Sequence, residues 1–327
     1  MKTQFTRQSV MLLLLVAALA AVPAFVKDNY LLRVAILILL NVVLAGGLNL
    51  INGYTATFHI GHAGFYCIGA YAAAILAKRY GLNFWLLLLV SGLLASAFSL
   101  LLGFPTLRLK GIFLTICTLG FSEIVRLVAL NWTSLTRGPM GIPGVPFPTL
   151  FGMTIKTNGQ FYLIILGLAV LQTFTFHRLI NSRLGRAWIA IREDEAAARA
   201  MGIDAFRYKM LNFAIGTFWA GVAGCFYAFF ASYVSTDSFK LDEGFAILAM
   251  VLVGGKGSLI GPIVGAVFLT VLPELFRSLV EYRLVIFGAA IVVTMLLRPE
   301  GIAGAGAFTR TRRRASPGPS PAAKGVS

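Results

Sequence analysis

Leu31-Leu-Arg-Val-Ala-Ile-Leu-Ile-Leu-Leu-Asn-Val-Val-Leu-Ala-Gly-Gly-Leu-Asn-Leu-Ile51 runs for 21 residues with one charge, Arg33, near its start. At about 1.5 Å per residue a helix of this length covers about 30 Å, the hydrocarbon thickness of a bilayer. Backbone groups in lipid must be satisfied within the segment, so a run this long and this apolar is a helix rather than a barrel strand. The whole chain agrees: of its 327 residues 58% are hydrophobic and 12% charged, and the mean hydropathy is +0.84. That composition excludes a soluble domain of this size.

Further apolar runs lie near 9–26, 60–77, 83–103, 111–130, 160–177, 210–232, 243–256, 259–280 and 283–298. Together they predict an all-α, polytopic membrane helix bundle of about ten transmembrane or membrane-embedded helices. The run 243–256 is short for a crossing, which suits a broken or re-entrant segment. A net charge of +16 suggests nucleic acid only until the basic residues are sorted by side. With the N-terminus inside, 18 of the 28 Lys and Arg fall on one face, among them Arg108, Arg178, Arg183, Arg186, Arg192, Arg199, Arg207, Lys209 and Lys256. That face is cytoplasmic by the positive-inside rule, and both termini lie on it. The basic balance is then a matter of topology and lipid contact, with no nucleic-acid partner.

Met1–Val26 also has the form of a signal peptide, but keeping it as a helix makes the charge map consistent. Residues 1–302 read as one membrane domain. Residues 303–327, rich in Gly, Ala, Arg, Pro and Ser, read as a disordered basic tail near anionic headgroups. Cys67, Cys117 and Cys225 are scattered, with neither disulfide nor metal spacing.

One polar block interrupts the apolar chain: Ser182-Arg-Leu-Gly-Arg-Ala-Trp-Ile-Ala-Ile-Arg-Glu-Asp-Glu-Ala-Ala-Ala-Arg-Ala-Met-Gly202. It sits in the cytoplasmic loop at about 180–209. Arg192 to Met201 is rich in Ala, lacks Gly and Pro, and is followed by Gly202, so a short helix ending at Gly202 is expected. On it Arg192, Glu195 and Arg199 share a face, with Ala190, Ala197 and Met201 roughly opposite. A helix this short is marginal alone and needs something to pack against. A solvated loop helix without a partner is the competing reading.

The block resembles the EAA loop of ABC importer permeases, through Glu195, Ala196, Ala197 and Gly202, with four residues rather than three between the second Ala and the Gly. Gly185 through Ile203 is similar to the signature of branched-chain amino acid permeases of the LivM type. Gly53–Phe65 with Ile68–Tyr71, Gly120–Thr136, Gly254–Ala266 and Arg298–Gly301 extend the resemblance over about residues 30–301, with Phe58-His59 where Ser-Leu is more usual. The resemblance implies an ABC importer permease domain over 1–302, in a bacterial inner membrane. Gly185, Arg186, Arg192, Glu193, Asp194, Glu195, Ala196, Ala197 and Gly202 would form the ATPase-coupling loop.

It also implies the partners: a second, LivH-like permease subunit, two LivG/LivF-like ATP-binding subunits, and a periplasmic binding protein that delivers cargo to outer loops including 131–158. The expected cargo is leucine, isoleucine or valine, with urea, amides or other amino acids as alternatives. This chain would hold no cofactor, ATP and Mg being bound by the ATPase partners. In agreement, no Gly-x-x-x-x-Gly-Lys-[Ser/Thr] occurs, and no catalytic constellation is legible. An ion-coupled carrier, complete in one chain, is the rival of another class.

Other residues carry alternatives. Gly257, Gly261 and Gly265 recur every four residues, which predicts one bare helix face for packing or for lining a path. Gly64, with Gly61 and Gly69, thins the helix expected over 58–77 in the same way. His59 and His62 are i,i+3 but lack a third metal ligand, leaving His62 a hydrogen-bonded packing residue or a path contact. Glu123 and Arg126 are expected to pair at the outer mouth, or else to touch substrate.

Overall fold

The computed structural model describes residues 18–303 apart from 24, 26, 27, 110, 151, 152, 276–287, 290, 294, 295, 297, 299 and 300. The chain folds as an all-α membrane bundle. Among the described residues its main helices are α1 (Asn29–Tyr54), α2 (His62–Tyr80), α3 (Phe84–Thr106), α4 (Ile112–Asn131), α5 (Asn158–Ile180), α6 (Arg183–Glu193), α7 (Glu195–Ala200), α8 (Ala205–Ala231), α9 (Leu241–Gly254) and α10 (Gly261–Leu275). Among the described residues α1, α3, α4, α5 and α8 are long and apolar enough to cross a membrane. Most of the run expected at 9–26, much of 283–298 and the tail from 304 lie outside the described residues, as do the two chain ends.

Polar side chains start these helices where the first N–H groups lack partners. Asp28 accepts from Tyr30 N at 2.9 Å ahead of α1, and Thr157 and Gln160 form a reciprocal capping box at α5. Gly81 ends α2 in the left-handed conformation, φ 62°. The segment 55–61 is not part of α2, as the expected run from residue 60 implied. It turns back into the bundle, burying Thr55, Thr57 and His59. Asn52 holds this turn, its amide donating to His59 O at 2.9 Å and accepting from His59 N at 3.0 Å.

α8 lies at the centre, against α1, α2 and α3. Lipid is as apolar as leucine, so helices associate by close backbone approach rather than by excluding water. Gly69 of α2 shows how close: a side chain there would strike the Gly221 backbone of α8. α9 has 14 residues, about 21 Å, and is too short to span alone. Its first turn sits inside the bundle, where a side chain at Gly244 would come within 3.1 Å of the Ile60 carbonyl. Two short antiparallel ladders, Ile142–Pro143 with Tyr233–Val234 and Thr149–Leu150 with Met153–Thr154, organise the loops after α4 and α8.

Candidate functional site

The polar block forms two helices rather than one. Ser182 caps α6, accepting from Leu184 N at 3.1 Å. α6 turns its apolar side inward: Trp188 is fully buried, and Ala187 and Ile191 nearly so. Trp188 Nε1 donates to Tyr208 O at 2.9 Å, tying α6 to the start of α8. Gly185 is buried too, at a corner so tight that a side chain would strike the Ile180 backbone. Arg186 is exposed.

The helix expected over Arg192–Met201 breaks at Asp194, whose backbone is extended at φ −154°, ψ 109°. The cause is local chemistry. A short carboxylate competes with the helix for backbone N–H groups, and Asp194 accepts from Ala196 N at 2.8 Å and Ala197 N at 3.0 Å, starting α7 afresh. The single ionic face is therefore divided. Arg192 binds Glu193 at 2.7 Å and donates to Gly53 O at 3.3 Å. Glu195 instead pairs with Arg199 and, across to α8, with Lys209 Nζ at 2.7 Å.

Gly202 ends α7 as expected. At φ +82° it donates to Arg199 O at 3.0 Å while Ile203 N reaches back to Ala198 O at 3.0 Å, a Schellman closure. Of the side expected to carry small residues, Ala197 and Met201 face solvent, Met201 being 83% exposed. Ala190 instead packs on a small core of Ile191, Ala198 and Ala205. Glu193, Asp194, Ala196, Ala197, Ala200 and Met201 thus make an exposed surface on a backing anchored to α8. Beside it a cleft of about 460 Å³ is lined by Leu107, Arg108, Glu195, Arg199, Asp204, Phe206 and Lys209.

Gly257, Gly261 and Gly265 do not share one helix face. Gly257 precedes α10 at φ +77°, and its N–H goes to the Asn49 side chain at 2.9 Å instead of to a helical carbonyl. Gly261 and Gly265 do lie on α10, where side chains would strike the backbones of Gly255 and Met250. They are packing residues of the α9–α10 corner. Gly64 is likewise a contact, bringing α2 onto Ser122 of α4.

His62 is wholly buried, with Nε2 packed where a side chain on Gly47 would come within 3.2 Å. The Leu44 carbonyl acts on this ring, yet no ring nitrogen of His59 or His62 meets a partner at full hydrogen-bond geometry. The packing expected of His62 is present. His59 stacks edge-on against Phe213, ring centres 5.0 Å apart. Among the described residues no three His, Cys, Asp or Glu gather as metal ligands. Glu123 and Arg126 form the expected ion pair, Arg126 Nε lying 3.0 Å from each carboxylate oxygen.

Sequence reasoning missed Asn49, Gly53, Ser258 and Lys209. Asn49 Nδ2 donates to Ser258 O at 2.8 Å, joining α1 to the loop before α10. An amide inside an apolar run was the available signal, since such a group needs a buried partner.

Residues 30–295 match the protein family described as branched-chain amino acid transport system / permease component. The chain is 39% identical over 319 residues to the high-affinity branched-chain amino acid transport system permease protein LivM of Escherichia coli (strain K12), covering 90% of this chain and 75% of that protein. It is 28% identical over 235 residues to the probable LivM permease of Methanocaldococcus jannaschii, covering 66% and 68% respectively. The LivH permease of Salmonella typhimurium is more distant, at 27% over 292 residues, 80% of this chain and 90% of that protein. No solved structure matches.

Proposed function

The chain belongs to the family of branched-chain amino acid transport system permease components, and from that premise we propose that it is the LivM-type permease subunit of a binding-protein-dependent ABC importer. It is a multi-pass membrane protein, and in this reading it sits in a bacterial inner membrane with about ten crossings and both termini cytoplasmic. It pairs with a LivH-like permease, and the two line one path at their interface. Two LivG/LivF-like subunits bind ATP and Mg and engage the α6–α7 surface. A periplasmic binding protein delivers leucine, isoleucine or valine to the outer loops around 131–158. This chain itself is not an ATPase.

The observation that carries the reading is the exposed α6–α7 surface on a rigid backing. Ala196, Ala197, Ala200 and Met201 present small or apolar groups that a partner covers without clash. Trp188 and the Glu195–Lys209 pair hold that surface to α8. A push on it is therefore delivered to a helix at the centre of the bundle, as a rigid-body shift toward alternating access requires.

The test is reconstitution with the four partner types in proteoliposomes, reading ATP-dependent uptake of labelled leucine, isoleucine and valine. Uptake that requires ATP and the binding protein is expected. Uptake by this chain alone, driven by an ion gradient, sinks the proposal. ATP-dependent uptake of urea or an amide with no aliphatic amino acid would keep the transporter class and overturn the cargo.

A further inference from the structure

Arg192 reaches from the docking surface into the bundle. Its Nη1 donates to Gly53 O at 3.3 Å, at the end of α1, while Nε and Nη2 hold Glu193 at 3.2 and 2.7 Å. A side chain on Gly257 would come within 2.9 Å of Nη1, and one on Gly53 would strike the Gly257 backbone. Gly257 leaves the space that the guanidinium occupies, and Gly53 lets the Gly257 backbone approach α1.

Behind them the connections continue. Asn49 accepts from Gly257 N and donates to Ser258 O, at 2.9 and 2.8 Å. Ser258 Oγ accepts from Gly261 N, the first residue of α10, at 2.8 Å and donates to Ala303 O at 2.7 Å. One guanidinium thus stands at the head of a network joining α6 to α1, to the α9–α10 corner and to the chain beyond residue 300.

We propose that Arg192 is a positioning residue that transmits movement of the α6–α7 surface into α1 and the α9–α10 corner. The proposal rests on the reading of that surface as the ATPase docking site. The surface has two charged ties to the bundle, and they attach to different parts of it: the Glu195–Lys209 ion pair to α8, and the Arg192 hydrogen bond to the Gly53 carbonyl at the α1/α9–α10 junction. Apolar packing of α6 is non-directional and lets helices slide. A charged donor on a backbone carbonyl is directional, so its anchor point moves with it.

The experiment uses the reconstituted complex of both permeases, the ATPase subunits and the binding protein. Arg192→Ala is expected to retain the ATPase subunits through purification, while uptake per ATP hydrolysed falls about tenfold or more, the size of a lost charge-assisted hydrogen bond. Arg192→Lys, which keeps a cation with fewer donors, is expected to regain part of that ratio. An unchanged ratio in Arg192→Ala overturns the proposal, and so does loss of the ATPase subunits from it, which would make Arg192 a docking residue. If Arg192→Ala does not accumulate, Asn49→Leu removes the next connection and leaves the surface intact; an unchanged ratio there also overturns it. An unaltered complex that binds no ATPase subunit overturns the docking reading itself, a result distinct from normal assembly with unchanged coupling.

Discussion

Lys209 Nζ lies 2.7 Å from Glu195 Oε2, with side chains 16% and 25% exposed, and this pair fastens α7 to the first turns of α8. Glu195 therefore faces the bundle. Its second cation, Arg199, is 57% exposed and contributes little, because solvent screens such a pair.

Glu195→Gln is therefore expected to impair coupling more than Arg199→Ala does. Losing the carboxylate strands a mostly covered ammonium, at a cost of about 1–3 kcal/mol in the seating of α7. Losing Arg199 costs less than about 1 kcal/mol. Transport and ATPase rates of the two variants, measured in one complex, check the order; equal effects would contradict the inward role of Glu195.

Gly202 is needed for its backbone alone. Among the described residues a side chain there would meet nothing within 4 Å, yet φ is +82°. Gly202→Ala should cost about 1–2 kcal/mol, and Gly202→Asn less, because Asn tolerates the left-handed region. Gly202→Pro also removes the N–H that reaches Arg199 O and should abolish coupling. Co-purification of ATPase subunits across this series checks the ranking, and full transport by Gly202→Pro would count against the docking assignment.

Trp188 supports the surface from beneath. Trp188→Phe loses the indole donor to Tyr208 O and some buried volume, at about 1–3 kcal/mol. Trp188→Ala should cost about 3–5 kcal/mol. Thermal unfolding of the purified chain in detergent is expected to show both midpoints lowered in that order.

Gly69 and Gly221 set the approach of α2 to α8. Gly69→Leu has no room, since backbone rather than a flexible side chain stands in the way. The helices must separate, and membrane accumulation is expected to collapse. Gly120→Leu, on α4 with nothing within 4 Å among the described residues, should be tolerated in the same accumulation assay.

Much of this molecule is readable one segment at a time. The expected runs at 31–51, 83–103, 111–130, 160–177 and 210–232 became α1, α3, α4, α5 and α8 with ends moved by a few residues. Gly202 was legible because its neighbours alone demand a left-handed stop. The expected Glu123–Arg126 pair was equally local, being i,i+3 on one helix.

The sequence by itself determined the membrane class, the main spans and the presence of a polar surface block, because run length and composition act on each segment independently of the rest. Tertiary structure alone decided where that block is anchored. Gly257 leaves the α10 face because Asn49 takes its N–H, and Arg192 points inward because Gly53 offers a carbonyl. Asn49 lies more than 200 residues from its partners, and Gly53 lies 139 from Arg192. A polar group buried in an apolar bundle takes whichever partner packing brings within reach, and no local periodicity encodes which one that is.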